Sequence, residues 1–244
     1  LRCGAGLVEL AVPKSIYPIL ASSLYEPVMT PLPEASDGTA ALAAFGRIRE
    51  SMKNASAMLF GCGLGKGFHL RVLTEKIVEA AACPLVIDAD GINALACDIN
   101  IIRKAKAPVI LTPHPGEMAR LLGVSAQEVQ AARLECARDF AAQYGVILIL
   151  KGANTIVALP DGTVFINMTG NAGMATGGSG DVLSGMTVSF LAQGMKPHEA
   201  AFSAVYLHGL AGDACAKRLS QRAMLPGDIV AALPGVFSEL EAAL

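Results

Sequence analysis

The sequence predicts a three-layer α/β/α protein with a mostly parallel central sheet, and three observations predict it. Short apolar segments alternate with longer helical ones along the 244 residues, as in βαβ units. Hydrophobic residues make up 53% of the chain and charged residues 16%, a balance typical of a sheet covered by helices on both faces. Pro160-Asp161-Gly162 lies between two apolar runs. It predicts a hairpin, and therefore antiparallel strands at one edge of the sheet.

The apolar runs define the strands, and the helical spacing of apolar residues defines the helices. We expect strands at 6–12, 27–32, 57–60, 85–87, 109–111, 146–150, 155–159 and 163–167. We expect helices at 13–24, 38–54, 68–81, 92–97, 125–144, 180–193 and 197–217, and from 224 onward with a break at Pro234-Gly235. Ser125 followed by Glu128 forms a capping box that begins one of them. No repeat or linker divides the chain, so residues 1–244 are predicted to form a single domain.

Composition argues against several classes of function. A formal net charge of −2, with 5% aromatic residues and no Trp, does not favour a partner that is nucleic acid or a membrane surface. No apolar run reaches the ~18–20 residues of a membrane helix. The six cysteines are scattered without a C-x-x-C pair. We therefore expect reduced cysteines and a cytoplasmic protein, and we assign no metal ligands.

The segment richest in chemistry is N-A-G-M-A-T-G-G-S-G-D, residues 171–181. Gly177, Gly178, Ser179 and Gly180 form a turn whose peptide N–H groups can converge on an anion, and a helix begins there. Asp181 lies in the first turn of that helix, where a carboxylate can accept the proton of a hydroxyl that attacks a phosphate. The alternative is that Asp181 only caps the helix. The G-x-x-x-x-G-K-[ST] pattern of a Walker loop is absent from the chain.

The same segment resembles the signature of the ADP/ATP-dependent NAD(P)H-hydrate dehydratases, which belong to the ribokinase-like superfamily. Four further motifs agree in order and spacing: G-C-G-L-G at 61–65, D-A-D-G at 88–91, L-T-P-H-P-G-E at 111–117 and K-G-A-N-T at 151–155. The resemblance implies a ribokinase-like fold and a repair activity. The S form of hydrated NADH or NADPH would be phosphorylated on its ring hydroxyl by ADP or ATP, with Mg²⁺, and loss of phosphate would restore the ring.

The resemblance also implies roles for individual residues. On the nucleotide side it implies Lys151, Gly152, Ala153, Asn154, Thr155 and Gly180. On the substrate side it implies Gly65, His114 and Asp181, and Asp181 is also the implied catalytic residue. Plain turns and a structural histidine are the alternatives for these segments. Asp88, Asp90, Asn93 and Glu117 could hold Mg²⁺ through water or could cap helices, and His69, His198 and His208 are predicted to be structural.

Two departures from the family pattern stand out. The family places a strand, loop and helix before the segment that is G-A-G-L-V at residues 4–8 here, so we expect this chain to lack that opening and part of the substrate pocket. Cys62 takes the place of a common proline, with little expected effect.

Two other functions stay open. One is a ribokinase-like kinase of a vitamin precursor, hydroxyethylthiazole or hydroxymethylpyrimidine, and the other is a non-enzymatic nucleotide-binding module. The expected partners are small molecules, with a fused or separate epimerase of the hydrated cofactor and a second copy of the chain as further candidates. The sequence does not decide between ADP and ATP.

Overall fold

A computed structural model of the chain describes residues 1–243, and its strands lie close to the predicted positions. They are β1 (Glu9–Pro13), β2 (Val28–Leu32), β3 (Met58–Phe60), β4 (Leu85–Ile87), β5 (Val109–Leu111), β6 (Ile147–Leu150), β7 (Ile156–Ala158) and β8 (Val164–Ile166). Six of them form one sheet in the order β3-β4-β5-β6-β7-β8, while β1 and β2 form a separate parallel pair.

The central sheet is parallel from β3 to β6 and antiparallel from β6 to β8. In β4, β5, β6 and β7 every residue is buried, because helices cover both faces of the sheet. The hairpin predicted around Pro160-Asp161-Gly162 joins β7 to β8. The expected three-layer architecture is therefore confirmed.

Helices fill the two outer layers. They are α1 (Tyr17–Ala21), α2 (Phe45–Met52), α3 (Phe68–Ala80), α4 (Ala89–Leu95), α5 (Pro115–Leu122), α6 (Ala126–Ala131), α7 (Arg133–Tyr144), α8 (Ser179–Ala192), α9 (Pro197–Leu219) and α10 (Pro226–Glu241). One-turn or two-turn 3₁₀ helices lie at Leu42–Ala44, Ile99–Lys104 and Ala172–Met174. Side chains alternate across β4, where Leu85 and Ile87 face α3, α4 and α5 while Val86 faces α8, α9 and α10.

The structure corrects the predicted break at Pro234-Gly235, because α10 continues through both residues. Ile229, Leu233 and Val236 are buried at helical spacing, whereas Pro234 and Gly235 are exposed. Burial of the apolar face outweighs the single backbone hydrogen bond that the proline removes.

Other boundaries differ for local reasons. The predicted helix 125–144 is interrupted at Ala132 (φ −136°, ψ 43°), which separates α6 from α7. The predicted helix 38–54 is regular α-helix only in α2, and 13–24 only in α1. Helix α5 was not predicted, although Pro115 at its first position and Glu117 at its third are typical of a helix start.

The six cysteines are all unpaired. No helix within residues 1–243 is both long enough and apolar enough to cross a membrane.

Candidate functional site

The glycine-rich turn predicted as an anion site leads directly into α8. Gly178 has φ +91° and precedes the first helical residue, Ser179, so this position needs a residue without a Cβ. The first N–H groups of a 14-residue helix have no partner within the helix and carry its positive dipole end. Asp181 lies in this first turn and is exposed. The N-cap residue of α8 is Gly178, which has no side chain to cap the helix. Gly177, Gly178 and Asp181 are therefore adjacent and exposed. Ser179 is buried, and its N–H donates to Thr176 O at 3.2 Å, so the predicted contribution of Ser179 to an anion site is not supported.

Asp213 of α9 holds the segment that precedes this turn, and no sequence motif marks this residue. Its two carboxylate oxygens accept hydrogen bonds from the Gly170 N–H and the Asn171 Nδ2, both at 2.9 Å. Asn171 in turn accepts a hydrogen bond from the Gly173 N–H at 3.0 Å. The position of the glycine run thus depends on a side chain from α9.

The Lys151 ammonium lies under the turn. Its Nζ is 2.7 Å from Asp88 Oδ1, and a Cβ added to Gly180 would lie 3.0 Å from the same Nζ. Asp88 is 1% exposed and also accepts hydrogen bonds from the Ala89 N–H at 2.7 Å and the Ser184 hydroxyl at 2.5 Å. Lys151 therefore pairs with a buried carboxylate that caps α4. Of the two interpretations of Asp88, these contacts show the capping of α4.

Asp90, Asn93 and Arg120 form a second chain of contacts, which reaches the loop at Gly65. Asp90 Oδ2 accepts the Gly65 N–H at 2.9 Å, and Asn93 Nδ2 lies 3.5 Å from Asp90 Oδ1. Arg120 Nη1 donates to Asn93 Oδ1 at 2.7 Å. Since Arg120 belongs to α5, which follows His114, this chain links the two loops predicted to contact the substrate. Asp90 orients the Gly65 peptide here.

His114 caps α5 in a reciprocal arrangement with Glu117. His114 Nδ1 accepts the Gly116 N–H at 3.0 Å, and Glu117 Oε2 accepts the His114 N–H at 2.8 Å. Glu117 is 5% exposed, whereas the side chain of His114 is 50% exposed. The His114 ring therefore faces solvent at the carboxyl end of β5, where ligands of parallel sheets bind.

His208 on α9 was predicted to be structural, and it packs beneath the glycine turn. Its side chain is 8% exposed, and Nε2 lies 3.4 Å from the Ser179 hydroxyl. Burial lowers the pKa of His208 to about 4. His208 is thus a neutral, buried support for the start of α8 at neutral pH.

The loops after β3 and β4 meet the glycine turn at one point. Ligand atoms of Cys62, Asp88 and Asp181 all lie within 4.8 Å of one another. Burial, and then the two carboxylates, raise the pKa of the Cys62 thiol, so the thiol stays protonated. Asp181 therefore has the Gly61–Gly67 loop on one side and, through Gly180, Lys151 on the other.

Only part of this cluster suits Mg²⁺, which takes oxygen ligands. The Asp88 oxygens already accept hydrogen bonds from Ala89, Ser184 and Lys151, and Cys62 offers sulfur. Asp181 is exposed and offers carboxylate oxygen, so it is the member of the cluster that fits.

Comparison with known proteins identifies the family. A family model described as NAD(P)H-hydrate dehydratase matches residues 1–235. This chain belongs to the NAD(P)H-hydrate dehydratase family. The family inferred from the five motifs is confirmed.

Curated relatives in this family match almost the whole chain. A bifunctional NAD(P)H-hydrate repair enzyme of Moorella thermoacetica is 44% identical over 241 residues, which are 99% of this chain and 46% of that protein. The ADP-dependent (S)-NAD(P)H-hydrate dehydratase of Bacillus subtilis is 34% identical over 244 residues, 99% of this chain and 82% of that protein. The chain thus spans less than half the length of the bifunctional relatives.

Solved structures agree with this assignment. The Bacillus subtilis ADP/ATP-dependent NAD(P)H-hydrate dehydratase, co-crystallised with ATP and Mg²⁺, superposes with a TM-score of 0.80 at 32% identity, covering 98% of this chain and 80% of that one. A hydroxyethylthiazole kinase of Pyrococcus horikoshii has a TM-score of 0.67 at 19% identity, covering 95% of this chain and 87% of that one. The kinase shows the shared ribokinase-like fold alone, so the vitamin-kinase alternative has only a distant structural relative in its favour.

Proposed function

We propose that this chain is a lyase that uses ADP or ATP to dehydrate the S form of hydrated NADH or NADPH. The observation that carries the proposal is the position of Asp181, an exposed carboxylate in the first turn of α8. It lies within 4.8 Å of the Cys62 thiol. The loop that contains Cys62 would receive the hydrated nicotinamide, while Gly180 and Lys151 mark the nucleotide side.

The chemistry follows from what this position allows. Asp181 would accept the proton of the ring hydroxyl as that oxygen attacks the terminal phosphorus of the nucleotide. The N–H groups of Gly177, Gly178 and Gly180 would stabilise the charge on the transferred phosphoryl group. The Ser179 N–H does not take part, because it donates to Thr176 O at 3.2 Å. Loss of phosphate and of a ring proton then restores the double bond. The products are NADH or NADPH, phosphate and the shortened nucleotide.

The substrate side would be formed by Gly65 and His114. Asp90 fixes the Gly65 peptide and Glu117 fixes the His114 peptide, so both loops are held in place before a ligand arrives. Such fixed geometry is what positions a reacting hydroxyl. Lys151, Gly152, Ala153, Asn154 and Thr155 would bind the nucleotide on the opposite side of Asp181.

Mg²⁺ would neutralise phosphate charge when the nucleotide is bound. Among the clustered side chains, Asp181 is the one suited to contact it. The co-crystal of the Bacillus subtilis relative with ATP and Mg²⁺ supports this part of the proposal, and the name of the ADP-dependent relative supports ADP as the phosphoryl donor.

The test is an assay of the whole chain with (S)-hydrated NADH and either ADP or ATP, following the absorbance of the restored dihydronicotinamide. We expect Asp181→Asn to lower kcat by at least about 100-fold while ADP affinity is nearly kept, as for a group that acts in the transition state. Asp139→Asn, an exposed acid on α7, is the matched control. Unchanged turnover in Asp181→Asn would remove Asp181 from the mechanism. Recovery of no NADH, together with ADP formed from ATP and a thiazole alcohol, would instead favour the vitamin kinase.

Several further expectations remain proposals. Residues 1–244 would act as one catalytic unit, since the site draws on residues from Gly65 to Asp213. An epimerase of the hydrated cofactor would act with this chain, because relatives twice its length are bifunctional. The unpaired cysteines support a cytoplasmic setting. A homo-oligomer stays a prediction.

A further inference from the structure

Arg133 reaches a loop that is distant in sequence. The break at Ala132 makes Arg133 the first residue of α7, and from there its guanidinium reaches the segment after β6. Nη1 donates to Ala153 O at 2.5 Å, and Nη2 lies 3.3 Å from Leu150 O and 3.5 Å from Lys151 O. Within residues 1–243 the hydrogen bonds of Arg133 all go to these three carbonyl oxygens. Nε is buried without a partner in that range.

The loop is shaped to admit this guanidinium. A Cβ on Gly152 would lie 2.9 Å from Arg133 Nη2, and Gly152 has φ +145°, a conformation that favours glycine. Asn154 has φ +54°, which is uncommon for a residue with a side chain. The Thr155 hydroxyl donates to Gly152 O at 3.0 Å. The carbonyls of Lys151, Gly152 and Ala153 are therefore all bound from the protein side.

The direction of these carbonyls fixes the direction of the N–H groups. No peptide bond among the described residues is cis, and in a trans peptide the N–H points opposite to the preceding C=O. The N–H groups of Gly152, Ala153 and Asn154 therefore point away from Arg133 and Thr155. They donate to no backbone acceptor within residues 1–243, and all three residues are exposed. Three adjacent donors thus face solvent beside Lys151.

We propose that Arg133 is a positioning residue for the nucleotide. It holds the carbonyls of the 150–153 segment so that the N–H groups of Gly152, Ala153 and Asn154 are oriented to donate to acceptor atoms of ADP or ATP. The inference rests on the proposed function for the identity of the ligand. Arg133 does not touch the reacting atoms, so its loss weakens nucleotide binding and leaves the chemical step to Asp181.

The test compares Arg133→Ala, Arg133→Lys and the control Arg138→Ala. Arg138 belongs to the same helix and pairs on the surface with Asp139. Calorimetric titration gives the Kd of ADP without turnover, and steady-state kinetics give the KM of each substrate. We expect Arg133→Ala to raise the Kd and KM of ADP by about tenfold or more, with the KM of hydrated NADH and kcat at saturating ADP within about twofold.

Lysine supplies a charge but not a planar fork, so Arg133→Lys should lie between wild type and Arg133→Ala. Arg138→Ala should match wild type. If the thermal melt shows that Arg133→Ala does not fold, the Kd and KM of ADP measured for Arg133→Lys test the inference instead. The inference would be overturned if the Kd of ADP were unchanged in the folded variants. It would also be overturned if the affinities for ADP and for hydrated NADH fell equally.

The two proposals can fail separately. A wild-type chain that binds ADP without restoring NADH contradicts the proposed function, and the ADP Kd of the Arg133 variants still decides the role of Arg133. A wild-type chain that restores NADH, with Arg133→Ala binding ADP normally, contradicts the role of Arg133 alone.

Discussion

Replacing Lys151 by methionine should destabilise the fold, because it leaves a buried carboxylate without its counter-charge. Asp88 is 1% exposed and the side chain of Lys151 is 18% exposed, with 2.7 Å between their charged atoms. Methionine keeps most of the aliphatic stem and removes the ammonium group. The perturbation is therefore mainly electrostatic.

The magnitude follows from the burial of the pair. Removing one partner of a buried ion pair costs roughly 3–5 kcal/mol, because it leaves an uncompensated buried charge. Asp88 keeps the Ala89 N–H and the Ser184 hydroxyl, so we expect a loss of about 3 kcal/mol in the free energy of unfolding. The measurement is urea unfolding followed by circular dichroism.

Two further variants make this result interpretable. Lys53→Met removes the lysine of the exposed pair with Glu50, whose side chains are 60% and 70% exposed, and should change stability little. In the double variant Lys151→Met/Asp88→Asn the uncompensated charge is gone, so part of the loss should be recovered. A loss in Lys151→Met no greater than in Lys53→Met would refute the view that this pair is a buried, coupled unit.

The remaining predictions concern the support of the glycine turn. A Cβ on Gly209 would lie 2.1 Å from Thr169 Oγ1 and 2.7 Å from its carbonyl carbon, so Gly209→Ala should cost about 2 kcal/mol in urea unfolding. A Cβ on Gly185 in α8 would meet no other atom, so Gly185→Ala should raise the free energy of unfolding by up to about 1 kcal/mol. Both predictions would be contradicted if Gly185→Ala lowered the stability and Gly209→Ala did not. The pKa of His208 is lowered by burial to about 4 from 6.5, so the unfolded state binds more protons between these values. Stability should fall by up to about 3 kcal/mol as the pH drops from 6.5 toward 4. The measurement is the free energy of unfolding across this pH range. The loss of stability at low pH should be smaller in His208→Asn and unchanged in His198→Asn. A pH dependence in His208→Asn equal to that of the wild type would contradict the prediction.

The sheet could be predicted from sequence because its signals are local. A buried strand such as β4 is a short apolar run, and the β7–β8 hairpin is marked by its own turn residues. Helix boundaries are less predictable from the sequence, since they depend on contacts elsewhere in the fold. Pro234 is a strong local signal for a break, yet α10 continues through it because the flanking apolar residues are buried against α8 and α9. The break at Ala132 has no local signal comparable to a proline.

The candidate site likewise contains residues that a local sequence signal marks and residues that only the fold brings into place. The glycine run and Asp181 are visible in the sequence because the chemistry proposed for them needs particular residue types at short spacing. Arg133 and Asp213 are not visible in this way, since each acts on a loop 17 to 43 residues away in sequence. Arg133 binds peptide carbonyls, which almost any loop sequence offers. Asp213 binds the Gly170 N–H and the Asn171 side chain, but 43 and 42 residues separate these partners from it, so no short motif contains both. Gly152 comes nearest to a signal, because a side chain there would displace Arg133. The residues that position the loops therefore emerge only from the fold, while the residues proposed to act on the ligand are already marked in the sequence.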